Sequence, residues 1–300
     1  MLHTGVSGEG ARSRSPLARV TAWLTAAGLV LAASLGPLAA EPPKRIVSLN
    51  LCTDQLLIDL VAPQRISALS QLAADPALSA VADRVEGIRL VRGSAEEVLA
   101  LEPDLVIAGE HSTPTTVAML RRLGLDVVTV PTASDFSGIR TAIRAIADMV
   151  GEAARGEQLI ADFDARLAAA RVADTVRPTA LAYQINSLTA DAGSLLDLAL
   201  ETAGYRNLAR STTLGPGGRL PLETLVVRPP DLVVLANAPD AFLTVSADNL
   251  RHPALKDLLE RRAHVLLEMP LWLCGTPRIA EAVERLRASR GTIAVGEAGR

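Results

Sequence analysis

The sequence lacks an excess of basic residues. Its 30 Lys and Arg are outnumbered by 33 Asp and Glu, and the formal net charge is −3 at pH 7. Without residues 1–40, which carry three Arg and one Glu, the net charge falls to −5. Proteins that bind nucleic acid usually present a basic patch, so the composition argues against a nucleic-acid partner.

The sequence motifs of common enzyme classes are also missing. There is no Gly-x-Ser-x-Gly elbow of a hydrolase and no glycine-rich loop that opens a helix around a phosphate. The Gly-Pro-Gly-Gly run at residues 215–218 contains a proline that disfavours a helix, which indicates a loop. We therefore predict a protein that is not an enzyme and that holds no cofactor.

Histidine is scarce, with four residues in the chain. His3, His252 and His264 do not have the spacing of a Cys/His metal cluster. His111 follows a predicted strand, where it could bind iron, contact a ligand carboxylate or simply be solvated. A receptor for a bare metal ion would need three or four ligands from both halves of the chain, and only His111 is well placed. We predict no metal site.

The N-terminal segment has the pattern of a secretory signal. Three arginines precede an apolar run from Ala22 to Leu35, and small residues follow up to Ala40. This order is typical of a signal peptide. Thr25, Ser34, Gly36 and Pro37 interrupt the apolar stretch, whereas a membrane anchor needs about 20 apolar residues. We predict cleavage near Ala40 and a mature protein in the periplasm.

One long helix organises the rest of the chain. From Glu152 to Ala173, apolar residues recur at helical spacing. Gly151 supplies a break before this segment, and Pro178 permits little continuation after it. Twenty-two residues would span about 33 Å. A helix of this length between two strand-rich halves predicts two lobes joined by a stiff connection.

The segments on either side of this helix indicate an α/β fold. Strands and helices alternate in both, which predicts two related lobes with parallel sheets, joined by the rigid helix. In such sheets, ligands bind beyond the carboxyl ends of the strands. The predicted domains are a signal peptide at 1–40, an N-terminal lobe at 41–151, the connecting helix at 152–173, a C-terminal lobe at 174–290 and a flexible tail at 291–300.

The two lobes share a repeated segment. Residues 95–108 and 222–235 align without a gap. Each contains an early Glu, then a Pro-Asp pair, then an apolar strand. Because Glu96 matches Glu223 in this alignment, we expect the two carboxylates to occupy equivalent places in lobes of related design.

These features resemble a known family. The Arg-Ile-Val-Ser-Leu start of the mature chain at 45–49, the repeated segment at 96–108, Leu-Gly-Leu-Asp-Val-Val at 123–128, the long helix and His-Pro-Ala-Leu at 252–255 carry the resemblance. These segments, and their order along the chain, resemble those of the periplasmic substrate-binding proteins of ABC importers for iron-siderophores, haem and cobalamin. The resemblance covers nearly all of residues 44–290. It implies two α/β lobes, a shallow cleft between them and little hinge motion.

The same resemblance implies a function. Such proteins carry a small molecule to a permease dimer in the inner membrane and dock through one carboxylate on each lobe, here Glu96 and Glu223. We expect a monomer that captures a ferric siderophore or a corrinoid such as cobalamin, with haem or a bare metal ion as the alternative ligand. The family's haem and cobalamin binders often line the cleft with aromatics, whereas Phe, Trp and Tyr make up 2% of this sequence.

Residues that follow the predicted strands are the candidates for ligand contact. Trp272 could contact the ligand or anchor its loop, and Tyr183 could face the cleft or the core. The candidate ligand-binding residues are Asn50, Cys52, Thr53 and His111 on the N-terminal lobe and Tyr183, Asn186, Arg219, Trp272 and Cys274 on the C-terminal lobe.

The two cysteines follow strands of different lobes. Cys52 comes after the first predicted strand of the N-terminal lobe and Cys274 after the last strand of the C-terminal lobe, so both are expected at the cleft. In an oxidising compartment they could form a disulfide. Two free thiols that contact a metal complex, or that are buried singly, remain the alternatives.

Overall fold

The computed structural model describes residues 41–215, 217–241 and 244–297, with side chains described as far as Ile293. The predicted signal peptide and the last three residues of the predicted tail lie outside this range. Among the described residues, no helix combines the length and the apolar character that a membrane span requires.

Within the described residues, the sheet of the N-terminal lobe has five parallel strands in the order β3-β2-β1-β4-β5. Its strands are β1 (Ile46–Ser48), β2 (Ile66–Ser70), β3 (Leu90–Val91), β4 (Leu105–Gly109) and β5 (Val127–Val130). Its helices are α1 (Leu51–Leu60), α2 (Ala95–Leu99), α3 (Pro114–Arg122) and α4 (Phe136–Met149). All five residues of β4 are buried, as expected of a parallel strand covered on both faces.

The connecting helix, α5, spans Ala153–Ala170. Its 18 residues give a length of about 27 Å. The predicted end at Ala173 is three residues too far, because the backbone is already extended at Arg171. Phe163 and Leu167 lie on the buried face of α5 and belong to one apolar cluster that includes residues of both lobes. The rigid connection is therefore packed into the core along its length.

In the described part of the C-terminal lobe, four parallel strands have the order β7-β6-β8-β9. They are β6 (Thr179–Ala182), β7 (Arg206–Asn207), β8 (Leu232–Leu235) and β9 (Ala263–Leu266). The helices are α6 (Leu195–Thr202), α7 (Leu222–Val227), α8 (Asp248–Arg251), α9 (Pro253–Arg261) and α10 (Ile279–Glu297). Helix α10 continues seven residues past the predicted lobe boundary at 290 and so includes most of the predicted tail.

The sequence repeat corresponds to a structural repeat. Asp104 accepts hydrogen bonds from the backbone N–H groups of Lys44 and Arg45 at 2.8 and 2.9 Å. Asp231 accepts them from the N–H and hydroxyl groups of Thr179, both at 2.7 Å. In each lobe, the aspartate that follows the proline of the repeat thus ties the start of one strand to the start of its neighbour. The tied strands are β1 and β4 in the N-terminal lobe and β6 and β8 in the C-terminal lobe. The order β2-β1-β4-β5 also matches β7-β6-β8-β9, with β3 as an extra edge strand.

Candidate functional site

The carboxyl ends of three N-terminal strands meet the loop that follows β9. Asn50 after β1, Gly109 at the end of β4, Thr132 after β5 and Gly275 after β9 line one small pocket. Its volume is about 20 Å³, enough for roughly one water molecule. A large ligand would therefore have to lie on the open face above this pocket. In the N-terminal sheet this is where the strand order reverses, the usual ligand position in such sheets.

Asn50 forms the N-cap of α1. Its backbone is extended, and its side-chain Oδ1 accepts the Cys52 N–H at 2.9 Å. Thr53 could also cap a helix that begins at Asp54, but the helix begins three residues earlier, at Leu51. Asn caps helices at least as well as Thr, and the earlier start makes Leu51 the first helical residue.

Thr53 is buried, with 3% of its surface exposed. Its hydroxyl donates to the Asn50 carbonyl at 2.9 Å and lies 2.8 Å from the Ser48 hydroxyl. Both polar contacts are internal, so the Thr53 hydroxyl supports the loop after β1. The side chain also lines the small pocket, and its contact with a ligand stays a prediction.

Asp54 is a buried carboxylate that the sequence pattern did not indicate. It has no exposed surface, and it accepts hydrogen bonds from the Ser70 hydroxyl at 2.5 Å and the Ser70 N–H at 3.3 Å. Burial raises the pKa of Asp54 to about 7, against the opposing effect of hydrogen bonds from Ser48 and Ser70. The sequence shows only an acidic residue in the first turn of a helix, which is a common surface pattern.

The two cysteines form a disulfide in the structure. Their sulfur atoms are 2.15 Å apart and their Cα atoms 5.2 Å apart. Cys274 is fully buried, whereas Cys52 is half-buried and lines the small pocket. The bond joins the start of α1 to the loop after β9, and so links the two lobes at the floor of the cleft. Neither sulfur is a free thiol ligand in this arrangement.

The segment after Cys274 follows one face of α1, and we name residues 274–278 the strap. Beyond the disulfide, the Thr276 hydroxyl lies 3.4 Å from the Gln55 side-chain oxygen, and Arg278 pairs with Asp59 at 3.3 Å. Positions 52, 55 and 59 lie on the same side of a helix. The strap is thus a second connection between the lobes, separate from α5.

Two aromatic candidates on the C-terminal lobe have structural roles. Tyr183 is fully buried in the core of that lobe, and its hydroxyl lies 3.1 Å from the Ser187 hydroxyl. The sequence left the cleft and the core open for Tyr183, and in this structure its ring lies in the core. The half-buried Trp272 donates its indole N–H to the Leu267 carbonyl at 3.0 Å, which anchors the loop before the strap.

Asn186 and Arg219 lie on neighbouring loops of the C-terminal lobe. Asn186 and Ser187 both have a φ of +59°, a conformation that costs free energy for residues other than glycine. Leu188 bridges to Arg219, and the Leu220 N–H donates to the Ser187 carbonyl at 2.8 Å. These contacts hold the strained turn after β6 against Arg219 and Leu220. Both Asn186 and Arg219 are exposed.

His111 is exposed two residues after β4. The residues that organise the loop around it were not predicted from the sequence. The Ser112 hydroxyl accepts the Gly109 N–H at 3.0 Å and donates to the Leu49 carbonyl at 3.3 Å. It therefore ties the end of β4 to the end of β1. Glu110 accepts the Thr132 N–H at 3.3 Å and ties β4 to the loop after β5. No local sequence pattern distinguishes these roles from those of an ordinary loop.

With this geometry in view, comparison with known proteins decides the family. A family model described as periplasmic binding protein matches residues 46–258. The chain belongs to the periplasmic binding protein family. Proteins of this family are substrate-binding components of ABC importers, as the sequence resemblance implied.

Individual relatives agree with this assignment. The binding protein is 28% identical over 213 residues to a protein of Halobacterium salinarum named "Cobalamin-binding protein", and the match covers 69% of this chain and 56% of that relative. It therefore spans little more than half of that relative's length.

Solved structures have the same fold. The periplasmic heme-binding protein RhuT from Roseiflexus sp. RS-1, in apo form, has a TM-score of 0.69 and 25% identity, over 84% of this chain and 99% of that one. The periplasmic vitamin B12 binding protein BtuF of Vibrio cholerae has a TM-score of 0.63 and 20% identity, over 85% and 98%. The two-lobed α/β architecture predicted from the sequence is confirmed.

In this binding protein, Glu96 and Glu223 lie in the first turns of α2 and α7 and are exposed. The capping of α2 is done by its neighbours, because Glu97 accepts the Ser94 N–H while Ser94 accepts the Glu97 N–H. Glu96 therefore takes no part in that capping box. In the part of the chain that the structure describes, no group of three or more His, Cys, Asp or Glu is placed to hold a metal ion.

Proposed function

We propose that this protein captures a metal chelate, either a ferric siderophore or a corrinoid such as cobalamin, and delivers it to an ABC importer. The observation that carries the proposal is the convergence of the ends of β1, β4 and β5 with the loop after β9 at one cleft floor, closed by the Cys52–Cys274 disulfide. A shallow site of this kind suits recognition of a bulky ligand rather than catalysis.

The walls of the cleft supply polar contacts. Asn50 and His111 would supply them from the N-terminal lobe and the exposed Asn186 and Arg219 from the C-terminal lobe, while Cys52 lines the small pocket at the floor. Arg219 would face an acidic group of the ligand, and the amides would meet hydrogen-bonding groups on its rim. The name of the Halobacterium relative supports a corrinoid, and the likeness to the heme-binding protein of Roseiflexus supports haem as the alternative.

Delivery would use the two exposed glutamates of the structural repeat. Glu96 and Glu223 occupy corresponding first turns in lobes of the same topology, so an approximate two-fold would relate them. A permease dimer with its own two-fold could contact both in the same way. We further expect secretion through the N-terminal signal, a periplasmic location and a monomeric protein.

The most direct test is the absorbance spectrum of the protein purified from its own periplasm, because haem, corrinoids and ferric siderophores absorb differently. Calorimetry with cyanocobalamin, haemin, a ferric hydroxamate, Fe³⁺ and Zn²⁺ then ranks the classes. We expect a chelate or corrinoid to bind more tightly than either free ion. Tight binding of a free ion, with no binding of any chelate, would replace this proposal with a metal-ion receptor.

A further inference from the structure

The orientation of the Asn50 side chain is fixed by the helix that it caps. The Cys52 N–H needs an acceptor, and Asn50 Oδ1 supplies it at 2.9 Å. The amide NH₂ is then the end of the side chain that remains for other contacts, since only the oxygen of an amide can accept. None of the described residues accepts a hydrogen bond from this NH₂ group. Asn50 is half-buried and lines the inter-lobe pocket.

Gly109 allows Asn50 to occupy this position. A Cβ atom built on Gly109 would lie 2.4 Å from Asn50 Cγ and 2.6 Å from its Nδ2, closer than such atoms can approach. The Asn50 amide therefore lies directly against the backbone at the end of β4. Ser112 holds that backbone in place through its hydrogen bonds to Gly109 and to the Leu49 carbonyl. The position of the Asn50 NH₂ group is thus fixed by the backbone at the ends of both β1 and β4.

We propose that the Asn50 NH₂ group is a specificity-determining donor, which binds an acceptor on the rim of the ligand such as a carboxylate, a phosphate or an amide carbonyl. Gly109 is its positioning residue. The inference rests on the proposed function, since it names one contact of the same site. Beyond that function, it requires that the ligand presents a hydrogen-bond acceptor to the end of β1. A free cation at this place would be repelled by the amide hydrogens.

Asn50→Asp tests the donor with little change to the fold. Asp caps a helix about as well as Asn, so we expect the melting temperature to stay close to that of the wild type. The substitution replaces two N–H donors with an anion, which repels an acceptor. We expect calorimetry to show at least about a tenfold loss of affinity for whichever of cyanocobalamin, haemin or the ferric hydroxamate the wild type binds. Ser94→Asp is the matched control, because it also converts a neutral N-cap of the same lobe to Asp.

Asn50→Ser provides a second variant, because Ser also caps but is too short to present the donor. Gly109→Ala tests the positioning role. Its methyl group would displace the Asn50 amide, so we expect weaker binding in the wild-type background. The Asn50→Ser background removes the clashes with Cγ and Nδ2 and keeps only the 2.9 Å approach to the Cβ of residue 50, so we expect a smaller effect there. A purely structural defect would lower affinity equally in both backgrounds, which a double-mutant cycle resolves.

The outcomes separate this inference from the proposed function. If the wild type binds one of the three chelates and Asn50→Asp binds it within twofold of the wild type, the inference is wrong and the proposed function stands. If the wild type binds only Fe³⁺ or Zn²⁺, and Asn50→Asp binds the ion more tightly, both are wrong. If the wild type binds none of these compounds, both are wrong as well.

Discussion

Asp59 of α1 and Arg278 of the strap form an ion pair between the two lobes, with 3.3 Å between Asp59 Oδ1 and Arg278 Nη2. Arg84 of the N-terminal lobe pairs with the same carboxylate oxygen at 2.5 Å. Together with the Cys52–Cys274 bond, this pair fixes one end of α1 covalently and the other electrostatically. Since α5 is a separate connection, the lobes are joined at two places, which favours a cleft that changes little on binding.

The disulfide gives the first prediction. Thiol labelling of denatured, unreduced protein should find no free thiol, because Cys52 and Cys274 are the only cysteines in the sequence. Cys52→Ser should lower the melting temperature, with a loss of up to about 5 kcal/mol on the chain-entropy view of such a large loop. The single variant leaves Cys274 as a free thiol, so the Cys52→Ser, Cys274→Ser double variant is the control. Two labelled thiols without reduction would show that the bond is absent in solution.

The ion pair of the strap gives the second prediction. Asp59→Asn removes the charge that Arg84 and Arg278 share, on a side chain that is 12% exposed. We expect a loss of roughly 1 to 2 kcal/mol of unfolding free energy and faster hydrogen exchange in the last turn of α1. Asp257→Asn, at an exposed position of α9, is the control. Unchanged exchange in Asp59→Asn would mean that the disulfide alone holds the strap.

Asp54 gives a prediction for pH. Burial raises the pKa of this carboxyl to about 7 in the folded protein, whereas its pKa in the unfolded chain is about 3.9. The folded state therefore binds the proton more strongly, and stability is lost as the pH rises from the unfolded pKa through the folded one. We expect this residue to lower the unfolding free energy by roughly 2 to 3 kcal/mol between pH 5 and pH 8.

Urea unfolding at both pH values checks this prediction. Asp54→Asn keeps the shape of the side chain and removes the titration, so the difference between pH 5 and pH 8 should shrink by that amount. An identical pH dependence in wild type and Asp54→Asn would show that this carboxyl does not titrate in the range.

The paired glutamates give the fourth prediction. Replacing both Glu96 and Glu223 with Ala should leave the melting temperature and ligand affinity nearly unchanged, since both side chains are exposed. Loss of one partner of a desolvated charge pair costs roughly 2 to 5 kcal/mol of binding, so stimulation of the importer's ATPase and uptake of the ligand should be abolished. Docking of the wild type should weaken as salt rises.

Glu97→Ala is the matched control for this pair. Glu97 belongs to the capping box of α2, so its loss should reduce stability while leaving uptake intact. Normal uptake by the Glu96→Ala, Glu223→Ala variant at normal expression would show that these two residues have no docking role.

Sequence patterns predicted the elements whose cause is local. The apolar spacing of 152–173 predicted α5, with an error of three residues at its end. The repeat predicted corresponding helices at Glu96 and Glu223, and the structure extends it to the matched hydrogen bonds of Asp104 and Asp231. The short strands β3 and β7, each of two residues, have no such local signal, because two residues are too few to show a period.

The site was harder to predict because its residues act through partners distant in sequence. Tyr183 has the position of a cleft residue, but the packing of the C-terminal lobe buries its ring. Gly109 and Asn50 are 59 positions apart, so neither residue alone indicates that one makes room for the other. Cys52 and Cys274 are separated by 222 residues, and whether they are bonded or free thiols could not be decided from spacing.

The sequence by itself determined the alternation of strands and helices, the two-lobed plan and the equivalent places of the two glutamates. Periodicity and proline act over short distances along the chain, and the repeat shows in a direct alignment of two segments. Only the tertiary structure decided which strand ends meet, that the strap follows α1, and that Asp54 is buried against serine hydroxyls. These features depend on contacts between residues far apart in the chain. Burial is the main cause of the raised Asp54 pKa, and it exists only once the chain is packed around that carboxyl.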